Sequence, residues 1–251
     1  MKHRPRLVAF DLDGTLAESK QRVSADMGEL LSRLLQKMPV AVLSGAGWPQ
    51  FQKQFFPALP LDANLHNLYI FPTNAAQCYV YRGEWKLQYD RSFSETERST
   101  IDQALTEGLA KVGLAEDPAQ LWGSRIEHRS LGQVSFSPLG QQAPVPAKQE
   151  WNQKNNDLRK KLREILADKL PDCTVSMGGL TTIDITHKGV DKGYGLRRLA
   201  ELSGITIAEM LYVGDALDEG GNDSVVKATG IQTHQVFGPE ETAGLIAALL
   251  R

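Results

Sequence analysis

The chain is predicted to be an α/β protein with a parallel-sheet core built from both ends of the sequence and an α+β domain inserted between them. Three observations predict this. Apolar runs alternate with helical patterns at each end, which is the signature of parallel strands joined by right-handed crossovers. The middle instead groups strand pairs with longer helices. The terminal apolar runs close on polar or glycine-rich segments, where an open α/β sheet binds its ligand.

The elements follow in order. Leu7–Phe10 is a buried strand, and residues 24–37 place Met27, Leu30, Leu31, Leu34 and Leu35 at helical spacing. Pro39–Leu43 is a second strand, Gln50–Phe56 a helix closed by Pro57, and Leu68–Phe71 a third strand. Cys78, Val80, Trp85 and Leu87 around Arg82-Gly83 suggest a hairpin. Ser94 with Glu97 forms a capping box that opens a helix to about Leu114. Arg125–Ser137 reads as a strand pair, residues 140–148 as a loop, and Gln149–Leu170 as a long charged helix. Thr174–Met177 and Thr181–Ile185 are two further strands around Gly178-Gly179. The core pattern then returns: a helix over Asp191–Leu202 with Gly204 as its C-terminal cap, a strand over Met210–Val213, a helix starting at Ser224–Ala228, a short strand in Ile231–Val236, and a closing helix over Glu240–Leu250. The expected domains are 1–82 plus 187–251 for the core and 83–186 for the insertion.

With 251 residues, 41% of them hydrophobic, the chain can bury a full core as one large or two small domains. Its 28 basic and 30 acidic residues leave a net charge of −2, so there is no global electrostatic case for nucleic acid or an anionic membrane. The expected partner is a small molecule, with a homodimer left open. Two distant cysteines, Cys78 and Cys173, suggest a reduced, cytoplasmic setting rather than a disulfide framework. The apolar run after Met1-Lys2-His3-Arg4-Pro5-Arg6 ends at Asp11, too soon for a signal peptide, and no window approaches the roughly 20 apolar residues of a membrane span.

Four pieces carry chemistry, each where a strand ends or a helix begins. They are Asp11-Leu12-Asp13-Gly14-Thr15; Ser44-Gly45; Lys192 in Asp191-Lys192-Gly193-Tyr194-Gly195; and Gly214-Asp215 with Gly220-Gly221-Asn222-Asp223. Phosphoryl transfer needs a nucleophile, a proton donor and acceptor, charge neutralisation and fixed geometry. Asp11 can attack phosphorus and form an aspartyl-phosphate, while Asp13 protonates the leaving oxygen and later activates the acceptor. Asp11 and Asp215 can hold Mg²⁺ through oxygen; Asp13 and Asp223 complete the expected acidic set, Asp223 also as a group that can orient Lys192. The Ser44 hydroxyl and the Lys192 ammonium, at a helix N-terminus, can bind phosphate oxygens. Lys188 competes with Lys192 for that role but precedes Gly189 in a loop.

In this order the four pieces resemble the haloacid dehalogenase superfamily of aspartate-dependent phosphotransferases. The resemblance implies a Rossmann-like parallel-sheet core with a C2-type cap inserted between Ser44 and Lys192. A closer resemblance, to the eukaryotic-type phosphomannomutases, rests on Ile126-Glu127-His128-Arg129, Val134-Ser135-Phe136-Ser137-Pro138-Leu139-Gly140 and Gly189-Val190-Asp191-Lys192, continuing into Gly214-Asp215 and Gly221-Asn222-Asp223. It implies that cap arginines and a Ser-x-Asp element hold a second phosphate or the sugar. Arg129 falls on one such arginine, and Thr182-Ile183-Asp184 on the Ser-x-Asp element. Gln141, Lys148 and Lys20 stand where the resemblance implies arginines, and neither a lysine nor an amide reproduces a bidentate guanidinium.

The expected activity is therefore an Mg²⁺-dependent phosphotransferase acting on a phosphorylated sugar or similar small phosphate ester. The weakened second anion site favours water as acceptor, hence a phosphatase. The alternatives are a phosphomannomutase-type mutase interconverting 1- and 6-phosphates, and a non-catalytic sugar-phosphate sensor on the same fold. His128, His187 and His234 have no zinc-ligand spacing. The basic residues Lys154, Arg159, Lys160, Lys161 and Arg163 are expected on a solvated helix face.

Overall fold

A computed structural model describes residues 4–129, 132–218 and 221–251 of the chain. Gly220 of the fourth motif and Met1, Lys2 and His3 lie outside the described residues. The chain divides into two compact units, residues 1–90 with 191–251, and residues 91–190.

The first unit is built on a seven-stranded sheet. In chain order its strands are β1 (Leu7–Asp11), β2 (Val40–Leu43), β3 (Leu68–Phe71), β4 (Gln77–Tyr81) and β5 (Trp85–Asp90), joined from the C-terminal segment by β10 (Met210–Gly214) and β11 (Gln232–Gln235). The spatial order is β11-β10-β1-β2-β3-β4-β5. The five strands from β11 to β3 are parallel, and β4 and β5 add an antiparallel edge. β1, β2, β3 and β10 are buried throughout, as a parallel sheet covered on both faces requires. Side chains alternate, so Val8, Phe10, Val40 and Val42 join one core cluster with Leu31, Leu34 and Phe51, while Leu7, Ala9, Ala41 and Tyr212 join another with Leu196 and Leu199.

The helices of this unit are α1 (Ala25–Lys37), α2 (Trp48–Gln54), α5 (Lys192–Ser203) and α6 (Pro239–Leu249). Ser24 caps α1 by accepting from the Met27 N–H at 3.2 Å, and Gly204, at φ 68°, ends α5. α2 starts two residues before the expected Gln50 because Pro49 fits the first turn, where no backbone donor is needed. The segment Ser224–Thr229 is a 3₁₀ helix rather than the start of an α-helix.

The second unit pairs β6 (Ile126–Arg129), β7 (Gln133–Phe136), β9 (Thr182–His187) and β8 (Cys173–Gly178) as an antiparallel sheet in that spatial order. Helices α3 (Glu95–Val112) and α4 (Val145–Lys169) bury Ile101, Leu105, Leu109, Leu162 and Leu166 in one cluster with Val134, Phe136, Ile183 and Ile185. By the pleat, the opposite face carries Glu127, Arg129, Gln133, Ser135, Thr182, Asp184 and Thr186. The Ser94–Glu97 capping box forms as expected.

Three expectations are corrected. The units divide at 90/91 and 190/191, not at 82/83 and 186/187, because β5 pairs with β4 along the core sheet and Asp191 caps α5. α4 begins at Val145 within the expected loop, since Pro146 sits in its first turn. Arg159 is not on a solvated face: it is buried and donates to the carbonyls of Gly178, Gly179, Leu180 and Thr182 at 2.8–3.1 Å, which holds the β8–β9 turn. Among the described residues no helix is long and apolar enough to cross a membrane.

Gly28 tests the packing of α1. A Cβ there would stand 1.9 Å from the Ala58 carbonyl oxygen. Replacing a mid-helix glycine by alanine ordinarily stabilises by about 1 kcal/mol. Here Gly28→Ala is expected to destabilise by about 2 kcal/mol in urea unfolding, because backbone must move to admit the methyl group.

Candidate active site

The chemistry-bearing residues of the first unit meet at the C-terminal ends of β1, β2 and β10. The parallel arrangement aligns those ends, so residues far apart in sequence converge without any local motif requiring it.

Asp11 ends β1 and is buried. Its Oδ1 accepts from Lys192 Nζ at 2.6 Å, and the same ammonium donates to Asp223 Oδ1 at 2.5 Å. Lys192 reaches them from the first turn of α5, whose N-cap Asp191 accepts from the Tyr194 N–H at 2.7 Å. Asp223 accepts two further bonds, from the Tyr212 hydroxyl to Oδ1 at 2.7 Å and from the Ala216 N–H to Oδ2 at 3.3 Å. Asp215 follows β10 and is half-buried.

Two glycines are required by these carboxylates. Gly14, at φ 83°, would place a Cβ 2.4 Å from Asp215 Oδ2, and a Cβ on Gly214 would lie 2.3 Å from Asp223 Oδ2. The Gly-Thr and Gly-Asp dipeptides of the motifs thus leave room for the acidic groups themselves.

One carboxylate oxygen from each of Asp11, Asp215 and Asp223 lies within 4.8 Å of the others. An all-oxygen, anionic donor set of this size fits a hard divalent cation. The Asp13 carboxylate, expected in the metal set, is not part of this cluster. Its Oδ1 instead accepts from the Lys20 backbone N–H at 2.6 Å and from Gln54 Nε2 at 3.1 Å.

Ser44 follows β2 and is buried. Its N–H donates to the Phe71 carbonyl at 3.1 Å, its own carbonyl accepts from the Asn74 N–H at 2.9 Å, and its Oγ accepts from the Ala46 N–H at 3.0 Å. These contacts fix the hydroxyl oxygen and leave its proton to donate to a phosphate. The neighbouring turn is held in an uncommon backbone form: Thr73, Asn74 and Ala75 all have φ between 50° and 67°.

Burial raises the Asp11 carboxyl from the ordinary 3.8 to about 7, with the Lys192 charge opposing and Asp223 and Asp215 adding to the rise. Asp215 is raised as well, by burial and then by Asp223. Burial alone would push the Lys192 ammonium down, but Asp11 and Asp223 outweigh it and hold it above its ordinary value. Burial, then the charges of Asp223 and Asp11, raises the Tyr212 hydroxyl well above 10, so it stays a donor. Lys192 stays charged because two carboxylates touch it, while burial, opposed by that ammonium and aided by Asp223 and Asp215, lifts Asp11.

In the second unit the residues expected at a cap site fall into two contact sets. Arg129 donates through NH2 to Gln141 Oε1 at 2.6 Å and lies 3.6 Å from Glu127 Oε2, while Lys148 Nζ donates to the Gln141 carbonyl at 3.0 Å. Asp184 Oδ1 accepts from Ser135 Oγ at 2.6 Å and Gln133 Nε2 at 2.9 Å, and Thr182 shares a 3.0 Å hydrogen bond with Ser137. Lys20, at φ 61°, belongs to the first unit, where its backbone N–H meets Asp13.

Sequence reasoning missed Tyr212, Gln54, Gln133 and Ser135. Each had a weak signal: Tyr212 is the one hydroxyl in the run Met210–Val213, Gln54 sits at helical spacing from Phe51, and Gln133 and Ser135 alternate with Val134 and Phe136.

The family model for eukaryotic phosphomannomutase matches residues 27–251. The chain belongs to the eukaryotic phosphomannomutase family. Through it the chain is a member of the haloacid dehalogenase superfamily, and it is an enzyme of that fold. It is 26% identical over 248 residues to a phosphomannomutase of Spinacia oleracea, covering 96% of this chain and 95% of the relative. In fold it is similar to an N-terminally truncated IMP-nucleotidase of Plasmodium falciparum, with a TM-score of 0.70 at 17% identity over 98% of this chain and 70% of the other. It is also similar to the C-terminal domain of C. albicans trehalose-6-phosphate phosphatase, with a TM-score of 0.66 at 18% identity over 98% and 93% of the two chains.

The sign of the Asp11 shift sets a pH dependence. A folded carboxyl near 7 against 3.8 when unfolded means that the native state binds the extra proton across that window. Its contribution to stability is full below about 4 and is lost as pH rises through about 7. In chelator, urea unfolding is expected to show stability falling over that range, and Asp11→Asn should remove that fall and exceed the parent's stability at pH 8. A parent whose stability rises from pH 5 to pH 7 as much as the variant's would refute the shift.

Proposed function

We propose that this protein transfers a phosphoryl group of a phosphorylated sugar through an aspartyl-phosphate on Asp11, and that its acceptor is a sugar hydroxyl, as in a phosphomannomutase. The observation that carries the reading is the convergence of Asp11, Lys192, Asp215 and Asp223 beside Asp13 and Ser44 in a chain of that family. Family membership moves the reading from the water acceptor expected from the cap substitutions to a sugar acceptor.

The Asp11 carboxylate attacks phosphorus, a new O–P bond forms, and the sugar–oxygen bond to phosphorus breaks. Asp13 gives its proton to that leaving oxygen. In the second half, Asp13 takes the proton of the acceptor hydroxyl as its oxygen bonds to phosphorus and the Asp11–phosphorus bond breaks. Lys192 neutralises charge on the phosphoryl oxygens and on Asp11, and the Ser44 proton fixes one phosphoryl oxygen. Asp11, Asp215 and Asp223 would hold Mg²⁺, which when bound neutralises further charge at the phosphoryl group. Asp223 has a second task, since its bonds from Tyr212, Ala216 and Lys192 aim the ammonium at Asp11. In the second unit, Arg129, Lys148, Thr182 and Asp184 would bind the sugar or a second phosphate.

A phosphatase is the second reading, favoured by one specific observation. Gln141, where an arginine would hold a second phosphate, uses its Oε1 to accept from Arg129, which engages part of the remaining guanidinium. The sugar-phosphate sensor is the reading that binding without turnover would favour.

Incubation of a hexose 1-phosphate with Mg²⁺ and a trace of hexose bisphosphate is expected to yield the 6-phosphate with little inorganic phosphate. Stoichiometric phosphate release would instead establish the phosphatase. Asp11→Asn should lower either activity by about a thousandfold or more.

A further inference from the structure

The contacts of Asp13 include one that none of the four motifs predicts. Both of its hydrogen bonds converge on Oδ1, from the Lys20 backbone and from the Gln54 side chain, and no described group donates to Oδ2. Gln54 is the last residue of α2, lies 41 residues from Asp13 in sequence, and is only 4% exposed.

The amide has a single orientation. A carboxylate in this state only accepts, so Nε2 must face Asp13, and Oε1 accepts from Gln50 Nε2 at 2.8 Å. The Gln54 carbonyl accepts from the Val23 N–H at 2.9 Å, which ties the end of α2 to the segment that follows the first motif. At its other end, α2 starts just after the Ser44 turn, with Gly47 as N-cap. One short helix therefore links the hydroxyl that fixes a phosphoryl oxygen to the carboxylate that moves the proton. A buried amide at a helix end next to Phe51 and Phe55 is costly unless its hydrogen bonds are met, and here both amide atoms are engaged.

We infer that Gln54 is a positioning residue for the acid–base step: together with the Lys20 N–H it locks Asp13 Oδ1, leaving Oδ2 as the oxygen that carries the proton to and from the sugar. This rests on the reading of Asp13 as the acid–base group. In the forward step the Oδ2 proton passes to the sugar oxygen as its bond to phosphorus breaks, the bonding pair staying on that oxygen. In the return step Oδ2 takes the proton of the acceptor hydroxyl as that hydroxyl oxygen bonds to phosphorus. Without Gln54 the carboxylate can rotate about its Cβ–Cγ bond, and a misaimed donor loses rate steeply.

Gln54→Met keeps the length and packing of the side chain and removes the donor. It should be compared with Asp13→Asn on two esters, p-nitrophenyl phosphate, whose leaving group needs little protonation, and a hexose 1-phosphate, whose leaving group needs it. Gln54→Met is expected to lower kcat/KM on the hexose ester about tenfold and to leave kcat/KM on the aryl ester within about twofold, since kcat/KM reports the attack by Asp11 and not the later acceptor step that both esters share. Equal losses on both esters, or no loss on the hexose ester, overturn the positioning role. If Asp13→Asn itself treats the two esters alike, the acid–base reading of Asp13 fails. If Asp13→Asn separates them and Gln54→Met does not, the Gln54 assignment alone fails. A readout independent of turnover is the Lys20 amide proton in a ¹H–¹⁵N spectrum, expected to move upfield in Gln54→Met as its acceptor is released. A Lys20 resonance that stays in place overturns the proposal whatever the activity.

Discussion

A lysine ammonium with 1% of its side chain exposed stands between two carboxylates, and the first unit is organised around keeping it there. A charge so buried is tolerated only when it is paired and hydrogen-bonded. Lys192 meets Asp11 across 181 residues of sequence and Asp223 across 31. The end of β1, the start of α5 and the turn after β10 must therefore all be in place before any one of them is electrostatically satisfied. Tyr212 adds a hydroxyl to the same network from within β10. The single ammonium does not balance Asp11, Asp215 and Asp223 together. That surplus of negative charge adds to burial, the larger cause, in raising Asp11, and the all-oxygen set is compatible with a divalent cation.

The glycines show how tightly the acidic groups are packed. Gly14 and Gly214 belong to motifs that read as turns, yet the atoms that would collide with a side chain there are carboxylate oxygens. A motif glycine in this fold is as much a statement about the neighbouring acid as about its own backbone. The same is seen in the second unit, where a Cβ on Gly178 would lie 2.3 Å from Asp184 Oδ2. There, an antiparallel sheet with one apolar face on α3 and α4 presents a polar opposite face, and Gln133 and Ser135 orient Asp184 across the strand pair.

Phosphatase and mutase share every step up to the aspartyl-phosphate and differ in what next reaches phosphorus. The roles proposed for the core residues are the same for either acceptor, since Asp13 would deprotonate water and a sugar hydroxyl alike, so those residues do not separate the two. The family and the chemistry of the polar sheet face bear on that choice. Arg129 retains the guanidinium, while Gln141 and Lys148 substitute an amide and a point charge, groups that hold an anion less rigidly than an arginine fork.

Much of this was legible in the amino-acid sequence. Continuous apolar runs located the core strands, because both faces of a parallel sheet are covered, and alternating or 3.6-residue patterns located the strands and helices buried on one face. Asp11, Ser44, Lys192, Asp215 and Asp223 could be picked out because each sits at a strand end or helix start, which is a local property. What sequence alone left open involves partners distant in the chain. The β4–β5 hairpin has the same pattern whether it joins one sheet or another, and only pairing of β4 with β3 assigns it to the core. Arg159 looks like its solvated neighbours on α4 until the carbonyls of residues 178–182 surround it. Gln54 is one glutamine among several in its helix, and its bond to Asp13 exists only because the end of α2 packs beside the first motif. Periodicity and strand-end chemistry are local, so the fold class and a set of candidate site residues could be read from the amino acids alone. Which oxygen of Asp13 is held and which charges share Lys192 emerge only on folding, because hydrogen bonds between distant segments depend on where packing brings them.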